Sequence, residues 1–158
     1  MRDPDIQALL DNGVSGIVFP DVNTAAEARL AVAAGRFGPL GRRSVTGGYP
    51  WFDYQGVPPA EALPAIEAAT LLACMIETRE GVRNVEAIAA VPGIDVIHVG
   101  MNDLLTDMGK PGQYADPDWP RRWTASRRPA KLMASSSAAV ATATRRRRRR
   151  SSAAARNS

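Results

Sequence analysis

The chain has one cysteine, one histidine and no acidic residue beyond Asp118 in its 158 positions. Each scarcity excludes something. A single thiol, Cys74, cannot close an internal disulfide, which suits a reducing compartment rather than a disulfide-stapled fold. It lies within an apolar run with no cation or helix start beside it, so it reads as an inert buried thiol and not as a nucleophile. No apolar run approaches the ~18 residues of a membrane span, and Met1-Arg2-Asp3-Pro4-Asp5 lacks the charged-then-apolar layout of a secretion signal. The expectation is a cytoplasmic protein with no membrane partner.

The absence of acids after Asp118 divides the chain. Residues 1–118 hold all 16 acidic residues against 8 basic ones, a net charge of −8, while residues 119–158 hold 12 basic residues and a net charge of +12. The overall +4 describes neither part. Two segments follow: a folded body over 1–118 and an Arg/Ser/Ala-rich tail over 119–158, which buries too little apolar surface to offset ordering entropy and is expected to be disordered.

Within the body, Asp3 ahead of Pro4 is a helix start, Ile6, Leu9 and Leu10 give one apolar face, and Gly13 ends it. Val14 to Phe19 reads as a buried strand. Thr24-Ala25-Ala26-Glu27 has the form of a capping box and opens an alanine-rich helix to Gly35. Residues 36–60 are rich in glycine and proline, with Trp51, Phe52 and Tyr54 interspersed, and read as a long, ordered loop. A helix over Pro59–Ala69, a strand over Leu71–Ile76, a helix over Glu80–Ala90, a strand over Asp95–Val99 and a short helix from Asp103 to Met108 complete the pass. Such alternation means parallel strands joined by crossovers, in a barrel or a doubly wound sheet. Three strands are too few for a complete barrel of about 250 residues.

Two acids stand just past strand-like runs: Glu77 after Leu71–Ile76, and Asp103 after Asp95–Val99 and Gly100. Side chains at the carboxyl ends of parallel strands line active sites. Two acids delivered there by separate strands can share one hard divalent cation that keeps positions open for water and substrate. The plainer reading is that both are helix-start acids, favourable near the positive end of a helix dipole. His98 lies within a strand and reads as a packing residue.

The body resembles the HpcH/HpaI aldolase family over residues 2–118. The matching stretches are Leu9-Leu10-Asp11-Asn12-Gly13, Val18-Phe19-Pro20, Asn23-Thr24-Ala25-Ala26-Glu27-Ala28, Gly41-Arg42-Arg43-Ser44, Ile76-Glu77-Thr78-Arg79-Glu80, and Gly100-Met101-Asn102-Asp103-Leu104 with Asp107-Met108-Gly109. Any one block is weak; six in order are specific. The resemblance implies a (β/α)8 TIM barrel, here the central βα units only, and a metal-dependent carbon–carbon lyase acting on 4-hydroxy-2-oxo acids. It implies Mg²⁺ or Mn²⁺ held by Glu77 and Asp103, the backbone of Gly100, Met101 and Asn102 facing a pyruvate-type carboxylate, and Arg43 in a loop bordering the site. Many relatives carry proline and alanine where this chain has Met101 and Asn102. The partners implied are a 2-oxo acid of pyruvate or oxaloacetate type and an aldehyde; the family assembles as homo-oligomers, a state that is not carried over to this chain. The family's histidine base and metal-side arginine belong to strands ahead of the matched part, so no catalytic base is assigned and reduced activity is expected.

The tail admits two readings. Arg145 to Arg150 form an unbroken block that can neutralise nucleic-acid phosphates without sequence preference. The favoured alternative is a shifted reading frame in GC-rich DNA, which yields acid-free Arg/Ser/Ala sequence and makes any such binding incidental.

Overall fold

The computed structural model describes residues 4–115 and, for the backbone alone, residues 131–134. Four parallel strands, β1 (Gly16–Phe19), β2 (Leu71–Ile76), β3 (Val96–Val99) and β4 (Lys131–Ala134), form one sheet in the order β1-β2-β3-β4. Register runs Gly16 to Leu71, Ala73 to Val96 and Val96 to Lys131. An order that advances without reversal over four strands occurs around a parallel barrel and also on one side of the switch point of a doubly wound sheet.

The helices are α1 (Pro4–Asp11), α2 (Ala25–Gly35), α3 (Pro59–Ala69), α4 (Arg79–Ala89) and α5 (Met101–Asp107). Thr24 and Glu27 form the expected capping box at α2, and Thr78 caps α4 by accepting from the Gly81 N–H. The strand alternation divides the sheet into two faces. Leu72, Cys74, Ile76 and Ile97 face the helices, packing with Ala28, Ala31 and Val32 of α2 and Ile88 of α4. Each such leucine or isoleucine contributes about 1.5–3 kcal/mol by burial. The small residues of α2 let it approach closely: a Cβ on Gly35 would fall 2.7 Å from Leu72 Cδ2. The opposite face carries Val18, Ala73, Met75, Val96 and His98.

Several expectations shift in detail. β1 starts at Gly16 rather than Val14, because the Val14 N–H closes the end of α1 on Leu9 O. α5 starts at Met101 rather than Asp103, because Gly100 O already accepts from the Leu104 N–H. The long loop is ordered, with a 3₁₀ turn over Pro50–Phe52 and Phe37, Tyr49, Trp51 and Phe52 gathered on Ile66, while Tyr54 stays exposed.

The largest difference is β4. It falls in the segment expected to be disordered, yet its backbone pairs with β3 from Val96↔Lys131 to Val99↔Ala134. Four residues, Lys131-Leu132-Met133-Ala134, are too few to show a strand period against their Arg- and Ser-rich surroundings. The rest of the tail, with the Arg145–Arg150 block and the break near residue 119, lies outside the described residues, as does Asp3. Among the described residues no helix is long and apolar enough to cross a membrane.

Candidate active site

Glu77 is the first residue beyond β2, and the ladder continues there: the Gly100 N–H donates to Ile76 O at 3.0 Å and the Val22 N–H to Met75 O at 3.1 Å. The β1–α2 loop, the end of β2 and the start of α5 therefore converge at the carboxyl end of the sheet. A Cβ on Gly100 would lie 2.7 Å from Glu77 Oε2 and 3.2 Å from Met75 Sδ. So Met75, Glu77 and Gly100 share the face turned away from the helices, and only glycine leaves room for the carboxylate.

Glu77 is not a helix cap. Thr78 performs that role, and Glu77 Oε1 instead accepts the Asp21 N–H of a different loop at 2.7 Å. No protein donor is found on Oε2 among the described residues. Asp103 is exposed in the first turn of α5, where both the helix-start reading and the ligand reading remain compatible with its position. Gly100 is the N-cap of α5, and the first intrahelical donor is the Leu104 N–H, so the Met101, Asn102 and Asp103 amides stand at an open helix start. The side chain of Asn102 is turned to Tyr114, accepting from its hydroxyl, which leaves the backbone as this segment's contribution.

Among the described residues no group of three or more His, Cys, Asp and Glu side chains is gathered for a metal. Mg²⁺ and similar ions keep several waters and use one or two carboxylates, so a pair delivered by adjacent strands fits that chemistry. The Gly100 hollow against Glu77 Oε2, which a Cβ would fill, is the local observation that favours such an ion.

Arg43 is not brought to this end. It is buried, donates to Asp11 Oδ1 at 2.9 Å, and lies with its guanidinium carbon 4.5 Å from the Phe37 ring centroid. Asp11 ends α1 just before β1, so Arg43 belongs to the amino end of the sheet. Expected in a loop bordering the site, Arg43 lies instead at the opposite end from Glu77. α2 runs antiparallel to the strands and delivers the segment after it to that end. His98 stands on the same face as Glu77, two residues before Gly100 and in register with Met75. Burial pushes the Cys74 thiol up to about 11, as an inert core cysteine requires. An open groove of about 410 Å³ between Asn23, Thr78, Arg83 and Asp107 adjoins this region, but neither Glu77 nor Asp103 lines it.

Sequence reasoning missed Asp21 and the side chain of Asn23. Asp21 has φ +51, and the Asn23 amide donates to both its carbonyl at 3.0 Å and its Oδ1 at 2.9 Å. The available signal was Pro20-Asp21 directly after a strand, since aspartate tolerates the left-handed region better than most residues.

The HpcH/HpaI aldolase/citrate lyase family matches residues 1–155, beyond the 2–118 read from motifs. A 4-hydroxy-4-methyl-2-oxoglutarate aldolase of Chaetomium globosum is 44% identical over 110 residues, covering 69% of this chain and 41% of the relative. A hydroxypyruvate/pyruvate aldolase of Chromohalobacter salexigens is 41% identical over 113 residues, 72% of this chain and 44% of the relative. The chain thus spans less than half the length of these relatives. In structure it is similar to an HpcH/HpaI aldolase from Desulfitobacterium hafniense, with a TM-score of 0.71 and 26% identity over 94% of this chain and 70% of that one. Macrophomate synthase gives a TM-score of 0.63 at 30% identity over 78% of this chain and 46% of that one.

Proposed function

The chain belongs to the HpcH/HpaI aldolase/citrate lyase family, and on that premise we propose that it carries the metal and oxo-acid part of a carbon–carbon lyase site. Its four strands are taken as a consecutive segment of an eight-stranded barrel. Glu77 and Asp103 hold Mg²⁺ or Mn²⁺, and the backbone of Gly100, Met101 and Asn102 receives the carboxylate of a pyruvate- or oxaloacetate-type acid. The observation that carries this reading is Glu77 Oε2 lodged against the bare Cα of Gly100, at the head of the helix that bears Asp103.

Cleavage of a 4-hydroxy-2-oxo acid releases an aldehyde and leaves negative charge on the pyruvate part. Glu77 and Asp103 would hold a divalent ion, which would supply positive charge against that developing enolate. The protein's own contribution is orientation. Gly100 leaves the space, the α5 amides offer donors to the carboxylate, and the Asp21 N–H fixes Glu77. Taking the proton of the 4-hydroxyl needs a base within hydrogen-bond reach, and no described residue is assigned to it. The chain by itself is therefore expected to bind metal and oxo acid and to turn over poorly.

A thermal melt with Mn²⁺ and oxalate, a stable mimic of the enolate, tests this. A ligand that binds only the native state raises the melting midpoint. The expected result is a cooperative transition that rises with both additives and no longer moves in Glu77→Gln or Asp103→Asn. A cooperative transition that both additives leave unmoved overturns the reading.

A further inference from the structure

The β1–α2 turn contains a chain of hydrogen bonds that ends on Glu77. The Thr78 hydroxyl donates to Asn23 Oδ1, which fixes which end of that amide carries the donors. The Asn23 Nδ2 group then donates to Asp21 O and Asp21 Oδ1. Asp21, held at φ +51, turns its own N–H onto Glu77 Oε1 at 2.7 Å. The turn is itself anchored: the Asn84 side chain donates to Asn23 O at 2.8 Å and the Val22 N–H to Met75 O. A left-handed non-glycine residue is disfavoured and persists only where its surroundings over-determine it. Here every contact that holds Asp21 in that conformation also aims its amide at one carboxylate oxygen.

We propose that Asp21 is a positioning residue that acts through its backbone. Locked by Asn23, its N–H occupies one oxygen of Glu77 and leaves the other, turned toward Gly100, as the one that would be offered to a divalent ion. The inference rests on the metal-site reading above and adds the group that orients the ligand. Partners that orient metal ligands are commonly worth 10–100-fold in metal affinity. The side chain of Asp21 is dispensable in this scheme, while its φ and its N–H are not.

Three variants of the full chain separate backbone from side chain, with Mn²⁺ affinity read from the electron paramagnetic resonance signal of the free ion. Asp21→Gly keeps the amide and takes positive φ without penalty, so it retains the unmutated affinity. Asp21→Val opposes positive φ, and Asn23→Ala removes the lock; each is expected to weaken Mn²⁺ binding by about tenfold. Melting midpoints without metal are measured alongside. If Asp21→Val fails to fold, Asn23→Ala carries the same test. Affinity lost equally in Asp21→Gly and Asp21→Val overturns the inference, because the carboxylate and not the amide would then matter. Lower midpoints with unchanged Mn²⁺ affinity overturn it as well, since that is the mark of a purely structural turn. Absence of Mn²⁺ binding by the unmutated chain overturns the metal-site reading and this inference with it.

Discussion

The two ends of the parallel sheet are built from similar residues and organised in opposite ways. At the amino end, charges neutralise one another. Arg36, 6% exposed in its side chain, donates to Glu67 Oε2, to Asp95 Oδ2 and to the carbonyls of Glu67, Thr70 and Gly93. Asp95 Oδ2 also accepts the Leu72 N–H, so one carboxylate ties β2, β3 and α2 together. At the carboxyl end, Glu77 and Asp103 have no cationic partner among the described residues, a left-handed residue is held in place, and a glycine leaves space. The first arrangement secures the fold; the second, on the proposed reading, leaves neutralisation to a ligand. On that reading the two ends divide stability and ligand binding between them, as the two faces of parallel barrels do.

Removing the hub of the amino end should have the largest effect on stability. Arg36→Met leaves two carboxylates and three carbonyls without their cation. Breaking a buried pair costs 3–5 kcal/mol, and about 3 kcal/mol is expected here because Glu67 and Asp95 remain 30% and 41% exposed and can rehydrate. Urea unfolding measures the loss. Mn²⁺ affinity of the folded protein should be unchanged, and a matching loss of affinity would break the proposed separation of the two ends.

Glu77→Gln reverses the pattern. The apo protein should unfold near the unmutated midpoint, because the amide oxygen can still accept from Asp21. What disappears is the ligand-dependent gain, about 2.7 kcal/mol at a metal concentration 100 times Kd. Differential scanning calorimetry at several Mn²⁺ concentrations reads this directly.

Gly100→Ala sharpens the comparison by acting on shape alone. Its new Cβ would meet Glu77 Oε2 at 2.7 Å, so the carboxylate must swing aside. Overpacking of this kind costs about 1–3 kcal/mol. Metal affinity should fall with it, whereas Gly47→Ala, which has nothing within 4 Å, should leave both unchanged.

How much of this contrast is legible in the sequence follows from where the signals lie. Helix starts are local: Thr24 with Glu27 marks α2 because the cap and its reciprocal partner are three residues apart. Glu77 and Asp103 stand out because each directly follows an apolar run. Arg36 does not, because its partners lie 31 to 59 positions away and only the fold brings them together. Arg43 was assigned from a motif, and motifs carry no information about which end of the sheet a loop occupies. Asp21 is only half legible: Pro20-Asp21 after a strand hints at its left-handed turn, but nothing in the sequence names the target of its amide, which lies 56 positions away. β4 was missed because four residues of weak pattern gain their meaning only by pairing with β3.

The smallest expected effect separates the ends by pH. The Asn23 N–H, foremost, holds the Glu27 carboxyl below its usual range at the start of α2; burial opposes it, and the Thr24 N–H and hydroxyl add to the lowering. A carboxylate with a lowered native pKa stabilises the protein above its unfolded pKa, and that contribution is lost as pH falls through the native value. Stability should therefore fall on acidification, and Glu27→Gln should flatten the part of the acid limb that Glu27 contributes. Thr24→Ala, which removes the other half of the box, should cost about 1 kcal/mol at neutral pH. The Asn23 amide N–H bonds Glu27 while its side chain bonds Asp21, so this loss falls on the carboxyl end of the sheet. Amide hydrogen exchange followed from neutral to acidic pH should show faster opening at residues 21–28 in the unmutated chain. The Thr70 and Leu71 N–H groups bond the backbone carbonyls of Glu67 and Ser15 and not a carboxylate, so their protection should decline later; simultaneous loss at both ends would show that they unfold as one unit.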